Sequence, residues 1–462
     1  MTATAPELLA LHDGEHYRFA FDMNTCIGCH SCEVACAEQN SLPVDVSWRR
    51  VGEIEGGSFP DTRRFNLSMA CNHCLEPTCL QGCPTDAYLK LDNGIVVHQA
   101  DECIGCQYCT WNCPYSVPVF HKARKIVTKC DMCKPRLEQG LTSACVDACP
   151  TRAISIEPVN VAQWRLDHES ANLPNLPSAD ITLSTTRIVT PHDVSMATFA
   201  ASDYDVRPEH PHWPLVVVTL LVQLAAGTMA SLAVAGVDRK SSAAAFVVAA
   251  IGLPISLFHL GRPALAFKAL RGIKRSWLSR EVLAFGLFAG ASFGPVLIAS
   301  RATAGFAAAL GAVGMYCSAR LYMVRGRPAW DSRLTVAAFF ASSLALGPMA
   351  LSVMKTPPPW APFATAAGIV LQLGVVLLNL RRLKSHDELE WAGSYKLMTD
   401  WFAPQFNIRI ILAVIGVALA LAHAPVAALL TIGVGEFIGR YLFYVTVVPL
   451  NMPGSFSRTR HS

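Results

Sequence analysis

Hydrophobic and polar positions follow two unlike patterns along the 462 residues. In the first part, apolar residues come in short bursts broken by Gly, Pro and Cys. Gly94-Ile95-Val96-Val97-His98 and Ala153-Ile154-Ser155-Ile156 cluster β-branched residues, which predicts small strands. From 158 to 212 the chain is rich in Pro, Ser, Thr and Asn without periodicity and reads as an extended connector packed on its own domain or on a partner. After Pro214 the pattern changes to eight apolar stretches, at about 214–236, 242–260, 281–300, 303–323, 334–354, 361–380, 408–423 and 425–449. Most are near the length that crosses a bilayer core. Only His423, Ala424 and Pro425 separate the last two, so seven or eight spans are open. Trp213, Trp277, Trp330, Trp360, Trp391 and Trp401 sit at or beyond the ends, where indoles prefer the interface. The expected divisions are 1–185, a linker over 186–212, a transmembrane domain over 213–450 and a tail over 451–462.

Composition agrees with this split. With 52% hydrophobic and 16% charged residues and a mean hydropathy of +0.34, this is not an ordinary soluble protein. A net charge of +4 is too small to argue for nucleic acid. The first 25 residues carry Glu7, His12, Asp13, Glu15, Arg18 and Asp22, with no apolar core and no twin arginine. The N-terminal domain is thus expected to fold where it is made, or to cross a membrane with a partner.

Of 17 cysteines, 16 lie between Cys26 and Cys149. They form four groups: Cys26, Cys29, Cys32, Cys36; Cys71, Cys74, Cys79, Cys83; Cys103, Cys106, Cys109, Cys113; and Cys130, Cys133, Cys145, Cys149. The last three end in Cys-Pro. Three closely spaced thiolates on a tight loop can each reach a different iron of one cubane, and the fourth ligates the other cluster of a pair. Zinc ribbons need two C-x-x-C pairs and no third Cys, and a disulfide scaffold does not suit a large chain without a secretion signal. All sixteen are therefore read as ligands of [4Fe–4S] clusters. His30 and His73, inside the motifs, are read as neighbours of the clusters or exposed residues. The basic run from His121 to Lys129 is either an offset to cluster charge or a solvated face.

The order of these groups, with the x4 gap in the second and the x11 gap in the fourth, resembles the four-cluster subunit of dimethyl sulfoxide reductase-type molybdenum enzymes over roughly residues 15–185. The resemblance implies an α+β ferredoxin-like double module with four [4Fe–4S] clusters and interleaved ligands. On that pattern Cys26, Cys29 and Cys32 share a cluster with Cys149, and Cys130, Cys133 and Cys145 share one with Cys36. Cys71, Cys74 and Cys79 go with Cys113, and Cys103, Cys106 and Cys109 with Cys83. Some relatives replace a third-group Cys with an aromatic residue; Cys109 is present here, so four cubanes are expected.

With eight spans both termini lie on one side, here side A. Its loops and tail hold 17 Lys and Arg, against four opposite (Arg239, Lys240, Arg301, Lys355). By the positive-inside rule side A is cytoplasmic, and the iron–sulfur domain then faces the cytoplasm of a bacterial inner membrane. This half resembles the anchor subunit of the same enzymes over about 213–450. The segments that carry the likeness are His259-Leu260-Gly261-Arg262-Pro263, Ser276-Trp277-Leu278-Ser279-Arg280-Glu281, Arg327-Pro328-Ala329-Trp330 and Gly435-Glu436-Phe437-Ile438-Gly439-Arg440. It implies an all-α polytopic anchor without haem that binds ubiquinone or menaquinone directly. The family's best-known member faces the periplasm, which conflicts with the charge bias; the size of the bias decides for the cytoplasm.

His259 closes the second stretch and Glu281 opens the third, both at side A. An ionisable residue at such a depth is a functional candidate, and quinone chemistry needs a titratable pair. The alternative is that both cap helix ends. Because the resemblance ties the His of this motif to quinol, His259 and Glu281 are assigned to the quinone site. Glu436 and Arg440, four apart, read as an intrahelical ion pair. Cys317, away from the other thiols, reads as a small apolar residue.

Nothing in the chain looks able to bind molybdopterin. The expectation is a non-catalytic redox subunit passing electrons between quinone and a separate molybdopterin-containing subunit, with sulfite oxidation and quinone reduction favoured on the charge bias. The alternatives are quinol-dependent reduction of dimethyl sulfoxide or another S- or N-oxide, and a cluster carrier with no molybdenum partner.

Overall fold

A computed structural model describes residues 11–174, 176–191, 194–196, 199–201 and 206–452. The protein divides into two units, one of residues 1–205 with 449–462 and one of 206–448.

Short strands order the first unit by bringing cysteine loops together. Strand β1 (Glu15–Asp22) pairs antiparallel with β8 (Ile154–Asn160), Phe21 opposite Ile154. The Asp22 amide donates to the Ala153 carbonyl at 2.8 Å, so the loop that starts the first cysteine group leaves beside the loop that ends the fourth. Strands β4 (Tyr88–Lys90) and β5 (Val96–His98) form a hairpin with Tyr88 opposite His98, which brings the end of the second group to the start of the third. A second hairpin, β6 (Val119–His121) with β7 (Ile126–Thr128), joins the third group to the fourth. Two longer strands, β2 (Arg50–Ser58) and β3 (Asp61–Met69), lie between the first and second groups. Phe19, Phe21, Ile54, Leu67, Met69, Ile95 and Ile154 fill the core with several of the cysteines.

The expected linker over 186–212 is not bare of structure. Strand β9 (Arg187–Val189) adds to β1 in parallel and β10 (Ala200–Ala201) adds to β2. The Glu209 amide donates to the Val445 carbonyl at 3.1 Å, and its carboxylate pairs at 3.1 Å with Arg327, which is 1% exposed. The start of the expected tail is likewise built in. The Leu450 carbonyl accepts from the Ser116 hydroxyl at 3.1 Å, and Met452 packs in the first unit's core.

The second unit contains eight helices long and apolar enough to cross a membrane: Trp213–Ala235, Arg239–His259, Trp277–Leu297, Arg301–Tyr322, Arg333–Met354, Ala361–Lys384, Ala403–Leu421 and Pro425–Val445. The Leu421–Pro425 break resolves the count at eight, with His423 turning in the left-handed region at φ 57. Starts follow ordinary cap chemistry. Asp238 accepts from the Ser241 amide, Ser300 from that of Ala302 and Ser332 from that of Leu334, while Pro214, Pro362, Pro404 and Pro425 open other helices. The first and fifth spans are the most enclosed, 72% and 67% buried within the unit. They meet through glycine: a Cβ on Gly347 would collide with the Gly227 carbonyl carbon. Small residues let backbones close up where lipid supplies no hydrophobic drive.

Candidate functional site

The thiols converge in fours drawn from different loops. Burial raises the Cys26 thiol, and Cys149 and Cys29 add to the effect. Cys36 is pushed up to about 12, first by burial and then by Cys145 and Cys133. Burial also takes Cys74 up to about 12, with Cys71 and Cys113 beside it. The Cys109 thiol is raised by burial and by Cys106, Cys103 and Cys83. Burial and crowding of this kind oppose proton loss, so the thiolates that ligate metal form only where the metal's own charge offsets both. Cys71, Cys74, Cys79 and Cys113 line one internal cavity with Tyr115 and Lys129. Among the described residues no three His, Cys, Asp or Glu side chains close in tightly enough for a single metal ion. Ligands of a four-iron cluster each bind a different iron and so stand farther apart than those of one ion.

Backbone amides aim at the sulfurs. Gly105 N lies 3.4 Å from Cys103 Sγ, Met132 N 3.3 Å from Cys130 Sγ and Ala153 N 3.2 Å from Cys149 Sγ. Turns that point successive N–H groups inward need left-handed residues, and Gly28, His30, Gly105, Gln107, Met132 and Cys133 all have positive φ. At Gly28 there is also no room for a side chain, since a Cβ would stand 2.6 Å from Asn66 Oδ1.

Two buried cations sit among the thiols. Arg49 is 2% exposed; burial opposes its charge, but Cys145, Cys32, Cys130 and Cys36 together raise its pKa. Its Nη1 donates to Ser68, while Nε and Nη2 have no protein partner, as donors turned toward an anionic group would be. Lys129 is also buried, and Cys71, Cys79 and Cys130 outweigh the burial cost. Its Nζ donates to the Cys130 carbonyl at 2.7 Å and to that of Val96. Of the two motif histidines, His30 is exposed and paired with Glu33. His73 is 1% exposed. The Val96 amide donates to its Nδ1 at 3.0 Å, which leaves the proton on Nε2, 4.0 Å from Cys130 Sγ. Lys129 stood out in the sequence as part of a basic run, whereas nothing in Trp48-Arg49-Arg50 marked Arg49.

In the membrane unit, His259 Nδ1 donates to the Ser256 carbonyl, so its Nε2 is an acceptor. His212, just before the first span, lies in electrostatic reach of His259; burial first, then His210, His259 and Arg327, outweigh Glu209 and bring it down to about 4. The His212 ring packs 6.0 Å from that of Tyr444. Glu281 stands beside Ser318. Tyr322 and Tyr444 share a 2.5 Å hydrogen bond and lie in electrostatic reach of Glu281. His259 and Glu281 are thus linked through His212, which reaches His259 and packs on Tyr444, and through the tyrosine pair, which reaches Glu281; the sequence did not single out these three residues. The expected Glu436–Arg440 ion pair is replaced by separate partners. Glu436 accepts from Ser342 at 2.5 Å and Gln372 at 3.1 Å. Arg440 donates to Gln223 at 3.0 Å and lies 4.0 Å over the Phe339 ring. Bonds to neighbouring helices win over the i,i+4 contact because side chains buried in an apolar bundle must satisfy every donor they can. Cys317 is buried as a small apolar residue would be.

Clustered thiols in one unit and eight apolar helices in the other define an iron–sulfur electron-transfer protein fused to a multi-pass membrane anchor. Residues 63–158 match the 4Fe-4S dicluster domain family, and residues 208–445 match the DMSO reductase anchor subunit family. The protein belongs to the DMSO reductase anchor subunit family and carries a 4Fe-4S dicluster domain ahead of the anchor. The cluster region is 37% identical over 177 residues to a chain of the anaerobic dimethyl sulfoxide reductase of Haemophilus influenzae, covering 36% of this chain and 86% of that protein. It is 34% identical over 201 residues to the corresponding dimethyl sulfoxide reductase chain of Escherichia coli, covering 42% of this chain and 97% of that protein. With a sulfite dehydrogenase subunit of Allochromatium vinosum it shares 36% over 154 residues, 29% of this chain and 64% of that one.

Proposed function

We propose that the protein passes electrons between a membrane quinone and a molybdopterin-containing catalytic subunit. The observation that supports this most is the pooling of thiols from different loops, Cys26 with Cys149, Cys36 with Cys145 and Cys133, Cys74 with Cys113, and Cys109 with Cys83, which fits sixteen ligands in four interleaved sets. The sets are Cys26, Cys29, Cys32 and Cys149; Cys36, Cys130, Cys133 and Cys145; Cys71, Cys74, Cys79 and Cys113; and Cys83, Cys103, Cys106 and Cys109. Each would hold one [4Fe–4S] cluster, which supplies one-electron transfer at no change of structure. Neighbouring sets lie in electrostatic reach in this order: Cys32 of Cys145, Cys130 of Cys71, and Cys79 and Cys109 of the Tyr88 between them. At one end Cys29 is exposed beside Ile27, 64% exposed, and Val34, 57% exposed. A catalytic partner docks there and covers the end of the relay.

In the membrane unit, quinone sits by His259 and Glu281, which exchange its protons at side A. The uneven placement of Lys and Arg supports a cytoplasmic iron–sulfur domain and favours sulfite oxidation with quinone reduction. The longer matches to the dimethyl sulfoxide reductases support the reverse direction, quinol-dependent reduction of an S-oxide or N-oxide. Purification under gentle detergent, with metal analysis and assay of sulfite-dependent quinone reduction against quinol-dependent dimethyl sulfoxide reduction, separates the two. Material with far fewer than sixteen irons per chain, or without a molybdenum-containing companion, overturns the proposal.

A further inference from the structure

The polar groups in the core of the membrane unit extend well beyond His259 and Glu281. Gln223, Ser342, Gln372 and Glu436 lie near the middle of the first, fifth, sixth and eighth spans, all nearly or fully buried. Four atoms of this region have no hydrogen-bond partner: Gln372 Oε1, Gln223 Nε2, Asn379 Oδ1 and Arg440 Nε. A buried polar atom in an apolar bundle costs free energy unless something meets it. Gln372, Asn379 and Arg440 line a cavity of about 90 Å³. At roughly 10–15 Å³ per water centre it has room for several waters, and it offers each more than one polar partner.

The cavity runs between the side A ends of the fifth to eighth spans, past Trp330 and Met398, down to Glu436. From there the polar chain continues away from it. Gln372 and Ser342 hold Glu436, and Arg440, one turn on, holds Gln223. Arg440 lies in electrostatic reach of Tyr444 and Tyr322, and these two share their hydroxyl bond within reach of Glu281. The cations in electrostatic reach of Glu436 are Arg440 from its own helix and Arg409 from the seventh span.

We propose that the cavity, with room for water from side A down to Glu436 and Arg440, and the Tyr444–Tyr322 hydroxyl pair beyond it form a proton route from side A to Glu281. The proposal rests on the quinone-site reading and adds the path its protons take. Reduction of one quinone takes two electrons, which arrive through the cluster relay, and two protons, which enter from side A water by this route; quinol oxidation runs both in reverse. Arg440 keeps its proton and orders the waters, while Glu436 and the tyrosine hydroxyls pass theirs on. The mouth of the route and Glu281 lie on the same side, so the route carries no net charge across the membrane.

The test uses the purified complex in lipid discs, with quinone turnover measured in H₂O and in D₂O. Glu436→Gln and Tyr444→Phe are expected to slow turnover about tenfold or more and to enlarge the solvent isotope effect, at unchanged KM for quinone and unchanged iron content. Glu436→Asp restores part of the rate. Wild-type rates and isotope effects in both variants, with His259→Asn and Glu281→Gln impaired, overturn the route and leave the quinone site standing. Loss of quinone-analogue binding in Glu436→Gln also overturns it, because the cavity is then a ligand site. Silent His259→Asn and Glu281→Gln variants instead overturn the quinone-site reading.

Discussion

The two units solve the problem of interior polarity in opposite ways. In the first, the interior is crowded with thiols, two cations and inward-turned amides, and the regular elements that carry them are often only three residues long. In the second, each helix satisfies its own backbone, and buried side chains such as Glu436 and Arg440 bond across to other helices. The first fold is therefore conditional on what binds its thiols, and the second on how closely its backbones pack.

The largest expected effect follows from that contrast. Protein made without iron should lose the first unit as a protease-resistant body while the second keeps its helices, because metal binding and folding share one free energy. Limited proteolysis with circular dichroism in detergent checks this, and equal resistance of both units with and without iron would sink it. The reverse break is made at glycine. Gly347→Val forces a side chain into the Gly227 backbone and should lower the stability of the second unit by about 3 kcal/mol or more, with iron content unchanged. Thermal unfolding in detergent reads it out.

A finer probe is charge among the thiols. Removing a cation beside a cluster penalises the reduced, more negative state, so Arg49→Met should lower a cluster potential by about 59 mV or more, a tenfold shift for one electron. Arg49→Lys should keep most of it, and potentiometric titration followed by electron paramagnetic resonance distinguishes them.

The smallest effect concerns pH. At Glu157, burial works against the charge, but Arg187 and Arg18, at 2.7 and 2.6 Å, outweigh it and lower the folded pKa. A lowered carboxylate pKa adds stability that is complete above the unfolded value and is lost as pH falls through the folded one. Glu157→Gln should cost the first unit about 1 kcal/mol at neutral pH, discounted for its partial exposure, and the difference should vanish in acid. Protease resistance at neutral and acid pH measures it.

Much of this protein was legible in the chain itself. Cysteine spacing reports the cluster domain because three thiols must reach three irons from one loop, a local demand. Apolar length reports the spans because bilayer thickness is fixed. The linker was harder to read: Arg187–Val189 is too short to show a period, and it becomes a strand only because β1 offers it an edge. The charge count treated Arg327 and Arg409 as loop charges, whereas both are buried; the imbalance survives their removal.

Sequence alone, then, determined the fold class, the cysteine motifs and the apolar stretches, since each depends on neighbours along the chain or on length, while the break that makes the stretches eight came from the structure. Tertiary structure decided which loops pool their thiols, that Arg49 and His73 stand among them, and that Glu436 bonds to other helices instead of to Arg440. Those outcomes depend on side chains far apart in sequence meeting in an interior where every unpaired polar group is costly, and no local pattern encodes that meeting.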